Sequence, residues 1–258
     1  MVLHFEVSGD ESGDTILLLH GITGSERYWQ PLLDCPVTAK RYIAIDLLGF
    51  GRSPVPTNII YDYETHIQSI KDTLDAANIT GPITIVGHSM GALLGLRLAA
   101  EQPALVSKLI LCGLPVYPDA VTARREITQS KWYVQRAYYG LTSRILCTLW
   151  CTKLRPISRR LAHLYLRQVP PNVASDSVLH SWQSYAQSLH YVIERQQVAI
   201  DLQRVTAKVQ LVYGAHDGSS KYLAKMGIPL IDKLQILTYP GLGHQLPVDK
   251  PTIIADLL

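Results

Sequence analysis

The chain has 258 residues, 47% of them hydrophobic and 17% charged, which excludes a disordered chain and suffices for one large buried core. Its net charge of +3 is too small to point to nucleic acid. The charge is unevenly placed: Pro115 to Val205 carries 12 Lys+Arg against 5 Asp+Glu, so this segment is basic and the remainder mildly acidic.

Val2 to Val7 alternates like a strand, and the polar, glycine-containing stretch Ser8 to Asp14 reads as a hairpin turn. Thr15 to His20 is a continuous apolar run, the pattern of a strand covered on both faces, and ends in His20-Gly21-Ile22-Thr23-Gly24-Ser25. Glu26 to Leu33 reads as a helix and Arg41 to Asp46 as a second buried strand, followed by the glycine-rich turn Leu47 to Pro54. Tyr61 to Ala77 has amphipathic helical spacing. The run from Ile83 is a third buried strand, Met90 to Ala100 a helix, and Leu105 to Leu111 the next strand. Strand and helix alternate throughout, which predicts an α/β fold: a mostly parallel central sheet with helices on both faces.

From about Val116 the alternation stops. Through Arg204 the sequence is rich in Tyr, Trp, Arg and Gln at helical spacing, punctuated by Pro156 and Pro170-Pro171. It reads as a helical lid over the C-terminal edge of the sheet, where open α/β sheets place their ligands. The pattern then resumes with a strand at Val209 to Tyr213, a helix at Ser219 to Met226, a strand at Leu234 to Tyr239 and a closing helix from Gln245, broken early by prolines. The expected division is a core of residues 1–114 and 206–258 with a lid insertion of residues 115–205.

Four cysteines, Cys35, Cys112, Cys147 and Cys151, do not make a disulfide framework in a chain of this size. Cys147 and Cys151 lie four apart on an expected helix, but no Cys or His follows at metal-ligand spacing, so they read as apolar packing and no metal is expected. The N-terminus lacks a basic region followed by an apolar run, and no apolar stretch is long enough to cross a bilayer, so the expectation is a cytoplasmic protein without a membrane partner. Gly87 to Gly91 lacks dinucleotide-binding spacing and no phosphate-loop motif occurs, so no cofactor is expected.

One motif organises the rest. Gly87-His88-Ser89-Met90-Gly91 joins a buried strand to a helix, and glycines on either side of a serine remove the Cβ atoms that would clash in so tight a turn. A serine hydroxyl is a poor nucleophile at neutral pH and needs a base, which in turn needs an orienting carboxylate. Two later loops supply these residue types after strand ends: Gly214-Ala215-His216-Asp217-Gly218 and Pro240-Gly241-Leu242-Gly243-His244.

On these motifs the chain resembles the lid-bearing serine hydrolases of the α/β-hydrolase superfamily, over nearly its whole length. The resemblance implies Ser89 as nucleophile, His244 as general base and acid, and Asp217 as the residue that holds the His244 tautomer. It also implies an oxyanion hole made of the backbone N–H groups of Ile22 and Met90. His20 and His88 read as loop-stabilising residues and Asp46 as structural, while His216 and Asp119 are the rival base and acid. Some lid aromatics are expected to line an acyl pocket, with Trp132 among the substrate-binding residues and one or more of Arg124, Arg125, Lys131 and Arg136 binding an anionic part of the substrate. The expected reaction is hydrolysis of a small or medium carboxylic ester or thioester through an acyl-enzyme. Two other readings stay open: a C–C hydrolase or elimination enzyme of the menaquinone-pathway synthase type, and a non-catalytic ligand-binding member. Oligomeric state is not legible.

Overall fold

The structure is a computed structural model, and it describes residues 1–35, 37–128, 140–223 and 233–258. Its centre is a seven-stranded sheet: β1 (Phe5–Gly9), β2 (Asp14–Leu19), β3 (Lys40–Ile45), β4 (Ile83–His88), β5 (Val106–Cys112), β6 (Lys208–Gly214) and β7 (Leu234–Tyr239). The order across the sheet is β1-β3-β2-β4-β5-β6-β7, and every pair is parallel except β1 with β3. The expected hairpin at Ser8 to Asp14 is therefore corrected: β3 lies between β1 and β2. β1 instead runs antiparallel to β3, and a Cβ on Gly9 at φ +85 would sit 2.2 Å from Lys40 O.

The strand sequences explain why the sheet is buried. Successive side chains point to opposite faces, so an uninterrupted apolar run supplies both. Leu17, Leu19, Ile43, Ile45, Ile85 and Leu111 pack on one face, against α2 (Tyr63–Ala76) and α3 (Met90–Glu101). Ile16, Leu18, Ala44, Val86, Ile110 and Val212 occupy the other, against Trp29 and Leu32 before and within α1 (Gln30–Leu33) and against the C-terminal helices. Asp62 caps α2 by accepting from Thr65 N–H at 3.0 Å.

Between β5 and β6 the described residues form α4 (Ala120–Thr128), α5 (Gly140–Cys147), α6 (Arg155–Tyr165), α7 (Pro171–Asp176), α8 (Trp182–Ser188) and α9 (Val198–Arg204). α5 continues into a π-helical turn at Thr148–Lys153 and α8 into another at Leu189–Glu194. Arg97 on α3 clamps α9 to the sheet layer through Asp201 at 2.8 Å, and its guanidinium lies 4.3 Å from the Tyr63 ring centroid. The expected helix at Ser219 to Met226 begins as a short 3-10 turn, Gly218–Ser220, and its end lies outside the described residues. The expected closing helix is split at Lys250 into α10 (Leu246–Asp249) and α11 (Pro251–Leu257). No helix among the described residues is long and apolar enough to cross a membrane.

Candidate active site

The site lies where β2, β4, β6 and β7 end. Ser89 follows β4 with φ 53 and ψ −114, a backbone conformation that costs a non-glycine residue about 1–3 kcal/mol. The surroundings enforce it. Ser89 N–H donates to Cys112 O at 2.9 Å, and the turn brings α3 so close to the strand that a Cβ on Gly87 would lie 2.6 Å from Gly91 O. A Cβ on Gly91 would lie 2.2 Å from Leu19 O, so this glycine lets the head of α3 rest against the end of β2.

That approach also sets the Gly21-Ile22 turn beside Ser89. A Cβ on Gly21 would meet Ser89 Cβ at 3.3 Å and His88 Nδ1 at 3.0 Å. Met90 opens α3, where the first N–H groups have no acceptor within the helix. Neither Met90 N–H nor Ile22 N–H donates to another group among the described residues. Both residues stand on turns that adjoin Ser89.

His244 follows β7 and Asp217 follows β6. His244 Nδ1–H donates to Asp217 Oδ2 at 3.0 Å, while Asp217 Oδ1 accepts from Ser219 N–H at 2.9 Å. Burial pushes the Asp217 carboxyl up, but the hydrogen bond and charge of His244 and the Ser219 N–H outweigh it and hold Asp217 below the ordinary aspartate value. Asp217 is therefore kept ionised at neutral pH. Ser89 and His244 line one cavity of about 350 Å³, together with Ile22, Thr23, Val169 and Val173.

The other histidines are occupied structurally. His20 Nδ1–H donates to Gly21 O at 2.7 Å and its Nε2 accepts from Leu47 N–H at 2.9 Å, which fixes the turn preceding Ile22. His88 Nε2–H donates to the backbone oxygen of His244 at 2.9 Å, and its ring stacks on Tyr28 at 4.7 Å. Burial lowers His20 to about 4 and His88 to about 3, so both are neutral at pH 7. The rival base His216 is exposed. The rival acid Asp119 is exposed and accepts from Thr122 N–H at 2.7 Å at the start of α4. Asp46 accepts from Glu26 N–H at 2.6 Å and Arg52 N–H at 2.7 Å, holding its loop together.

The expected substrate-binding residues fare differently. Arg124 makes a two-pronged pair with buried Glu194, at 3.2 and 3.0 Å, and Arg125 is exposed; neither lines the cavity at Ser89. Buried Glu194, seventy residues away in sequence, is the reason Arg124 points elsewhere. Lys131, Trp132 and Arg136 lie outside the described residues, as do Tyr133, Tyr138 and Tyr139. Of the aromatics, Trp150, Tyr165, Trp182 and Tyr185 line a second cavity of about 310 Å³, which shares Thr23, Leu166 and Ser177 with the first. Cys147, Cys151 and His180 also meet there, Cys147 Sγ lying 3.5 Å from His180 Nε2. His180 was invisible to local spacing because it lies in a different helix connection.

A family model described as the alpha/beta hydrolase fold matches residues 14–226. The chain belongs to the α/β-hydrolase family. RutD of Variovorax paradoxus, named as a carbamate hydrolase, is 39% identical over 125 residues, 48% of this hydrolase-fold chain and 47% of the relative. BODYGUARD 5 of Arabidopsis thaliana, named as a lysophospholipase, is 27% identical over 198 residues, 70% of this chain and 45% of the relative. The chain thus spans about half the length of the curated relatives it matches. MenH of S. aureus superposes with a TM-score of 0.71 at 17% identity, over 98% of this chain and 96% of that one, a likeness of fold.

Proposed function

We propose that the protein is a serine hydrolase that cleaves an uncharged carboxylic ester or thioester through an acyl-enzyme. The observation that carries this reading is the His244–Asp217 pair at 3.0 Å, whose His244 lines the same cavity as a serine held at φ 53. Asp217 fixes the tautomer with hydrogen on Nδ1, leaving the His244 Nε2 lone pair to take the Ser89 proton. Ser89 Oγ then attacks the substrate carbonyl carbon, and the oxygen that gains charge is met by Ile22 and Met90 N–H. Each such donor acts on charge that develops in the transition state and contributes about 3 kcal/mol. His244 returns the proton to the departing oxygen or sulfur, and water repeats the sequence to free the acid.

Residues 115–205 act as the lid in this reading, since Leu166, Val169 and Val173 face Ser89 and His244 across the cavity. The second cavity supports an apolar or aromatic acyl group, being lined by Trp150, Tyr165, Trp182 and Tyr185. An uncharged substrate is favoured because no Lys or Arg lines either cavity among the described residues and Arg124 is committed to Glu194. The hydrolase names of the relatives agree with this chemistry.

A fluorophosphonate probe tests the reading. Labelling at Ser89 is expected, abolished in Ser89→Ala and strongly slowed in His244→Ala, with turnover of p-nitrophenyl esters falling by at least about 10⁴-fold in either variant. A folded protein that takes up no probe would exclude the acyl-enzyme route. Labelling without ester turnover would transfer the same residues to C–C cleavage or elimination.

A further inference from the structure

The hairpin made by α5, its π-helical continuation and α6 has a surface unlike the rest of the molecule. Trp150 Nε1–H donates to Tyr165 OH at 3.0 Å and Ser158 Oγ–H to Trp150 O at 2.7 Å, so the two arms are held as one unit. On its outer side Leu141, Ile145 and Leu149 of the first arm and Ile157, Leu161 and Leu164 of the second are between 39% and 72% exposed. In α6 the three recur at i, i+4 and i+7, one continuous helical face, with buried Ser158 and Ala162 turned towards the protein. An apolar face of this extent on a monomer's surface marks something that covers it.

The charges say what kind of partner covers it. Between Gly140 and Arg167 there are six Lys and Arg residues and no Asp or Glu. Arg155 is spent on the backbone oxygens of Cys151 and His180, and Arg159 on Asp176 at 3.1 Å. Arg144, Lys153 and Arg160 are exposed and have no acidic partner among the described residues. A second copy of this chain seated on the same face would bring two uniformly basic surfaces together. An anionic bilayer offers the complement to both features, phosphates for the cations and acyl chains for the Leu and Ile side chains.

We propose that this hairpin is a membrane-surface docking element for anionic lipid bilayers, with the Leu and Ile stripe entering the headgroup region and Arg144, Lys153 and Arg160 contacting lipid phosphates. Leu146, Trp150, Tyr165 and Leu166 of the same hairpin line the apolar cavity, so docking would set the entrance of that cavity against the bilayer. The docking claim itself does not depend on the proposed chemistry at Ser89.

Co-sedimentation of the whole protein with vesicles decides it. The protein should pellet with phosphatidylcholine vesicles containing about a third phosphatidylglycerol, pellet poorly with phosphatidylcholine alone, and be released as salt is raised. The charge variant Arg144→Glu/Lys153→Glu/Arg160→Glu and the apolar variant Ile157→Ser/Leu161→Ser/Leu164→Ser should each weaken binding by at least about tenfold. Circular dichroism and thermal melting check that both remain folded. The salt and lipid dependence of the unaltered protein carries the test even where a variant fails to fold. Failure of the unaltered protein to bind the anionic vesicles, or binding indifferent to lipid charge, overturns the proposal. So does a dimer in light scattering that the apolar variant dissolves while vesicle binding is absent, which would assign the face to a second copy.

Discussion

Gly113, the first residue after β5, bears at the scale of single side chains on the Asp217–His244 pair of the proposed mechanism. It has φ +57, and a Cβ there would lie 2.9 Å from His244 Nδ1 and 3.0 Å from Asp217 Oδ2. The space an acid at this position would need is already filled by the pair that reaches it from β6 and β7. Gly113→Ala should therefore disturb the pair directly. Left-handed backbone strain adds about 1 kcal/mol to the cost of moving His244 or Asp217. We expect ester turnover and fluorophosphonate labelling to fall at least tenfold, with a lowering of Tm of a few degrees. Gly218→Ala is the control, since nothing lies within 4 Å of its Cβ position and its φ is not positive, and it should leave Tm nearly unchanged. Equal effects from the two substitutions would remove Gly113 from this role.

At the scale of elements, β2 to β6 could be read from the chain because a parallel strand buried on both faces is an apolar run whose ends are set by local residues, whereas β7 lies at the sheet edge and is largely exposed. The expected strand Leu234–Tyr239 coincides with β7, and the turn at Ser89 is legible because Gly87, Ser89 and Gly91 encode it locally. Pairing order was not legible: whether β1 pairs with β2 or β3 depends on residues 32 to 40 positions away, so the turn at Ser8 to Asp14 resembled a hairpin without being one. The ion pair of Arg124 is hidden in the sequence for the same reason, since Glu194 joins it only through the packing of α4 on the second π-helical turn. Ion pairs between elements are the least visible features in a sequence, and Arg97–Asp201 shows what they do. Burial raises the Asp201 carboxyl above its ordinary range, and Arg97 is the nearby cation that opposes this. Removing the cation strands a buried carboxylate between α3 and α9. Arg97→Ala should cost about 3 kcal/mol in urea denaturation, while Asp201→Asn, which leaves no buried anion, should cost less. The reverse ranking would show that the contact of Arg97 with Tyr63, and not the charge pair, holds these helices.

At the scale of the whole molecule, three buried histidines make stability fall in acid. His20, His66 and His88 sit at the end of β2, within α2 and at the end of β4, all fully buried, and burial lowers them to about 4, 4 and 3. Each is wired as a neutral ring: His66 Nε2 meets Ser188 Oγ at 2.9 Å, beside the contacts of His20 and His88 given above. Above pH 6.5 these rings are neutral whether the chain is folded or not, and they contribute no pH dependence. Below pH 6.5 the unfolded chain takes up protons that the fold refuses, so stability falls as pH falls, until each ring reaches its own folded value. The slope is about 1.4 kcal/mol per pH unit for each histidine. The lowered Asp217 adds in the same direction only below the ordinary aspartate range, where the unfolded carboxyl begins to bind a proton and the folded one does not. Urea midpoints should therefore hold steady near neutrality and drop steeply from pH 6.5 towards 4. His66→Gln, which keeps a polar atom near the Nε2 position without a titrating ring, should flatten that drop by roughly one histidine's share. A stability flat down to pH 4 would mean that these rings are protonated in the fold, contrary to their burial and to the hydrogen-bond acceptor role of His20 Nε2.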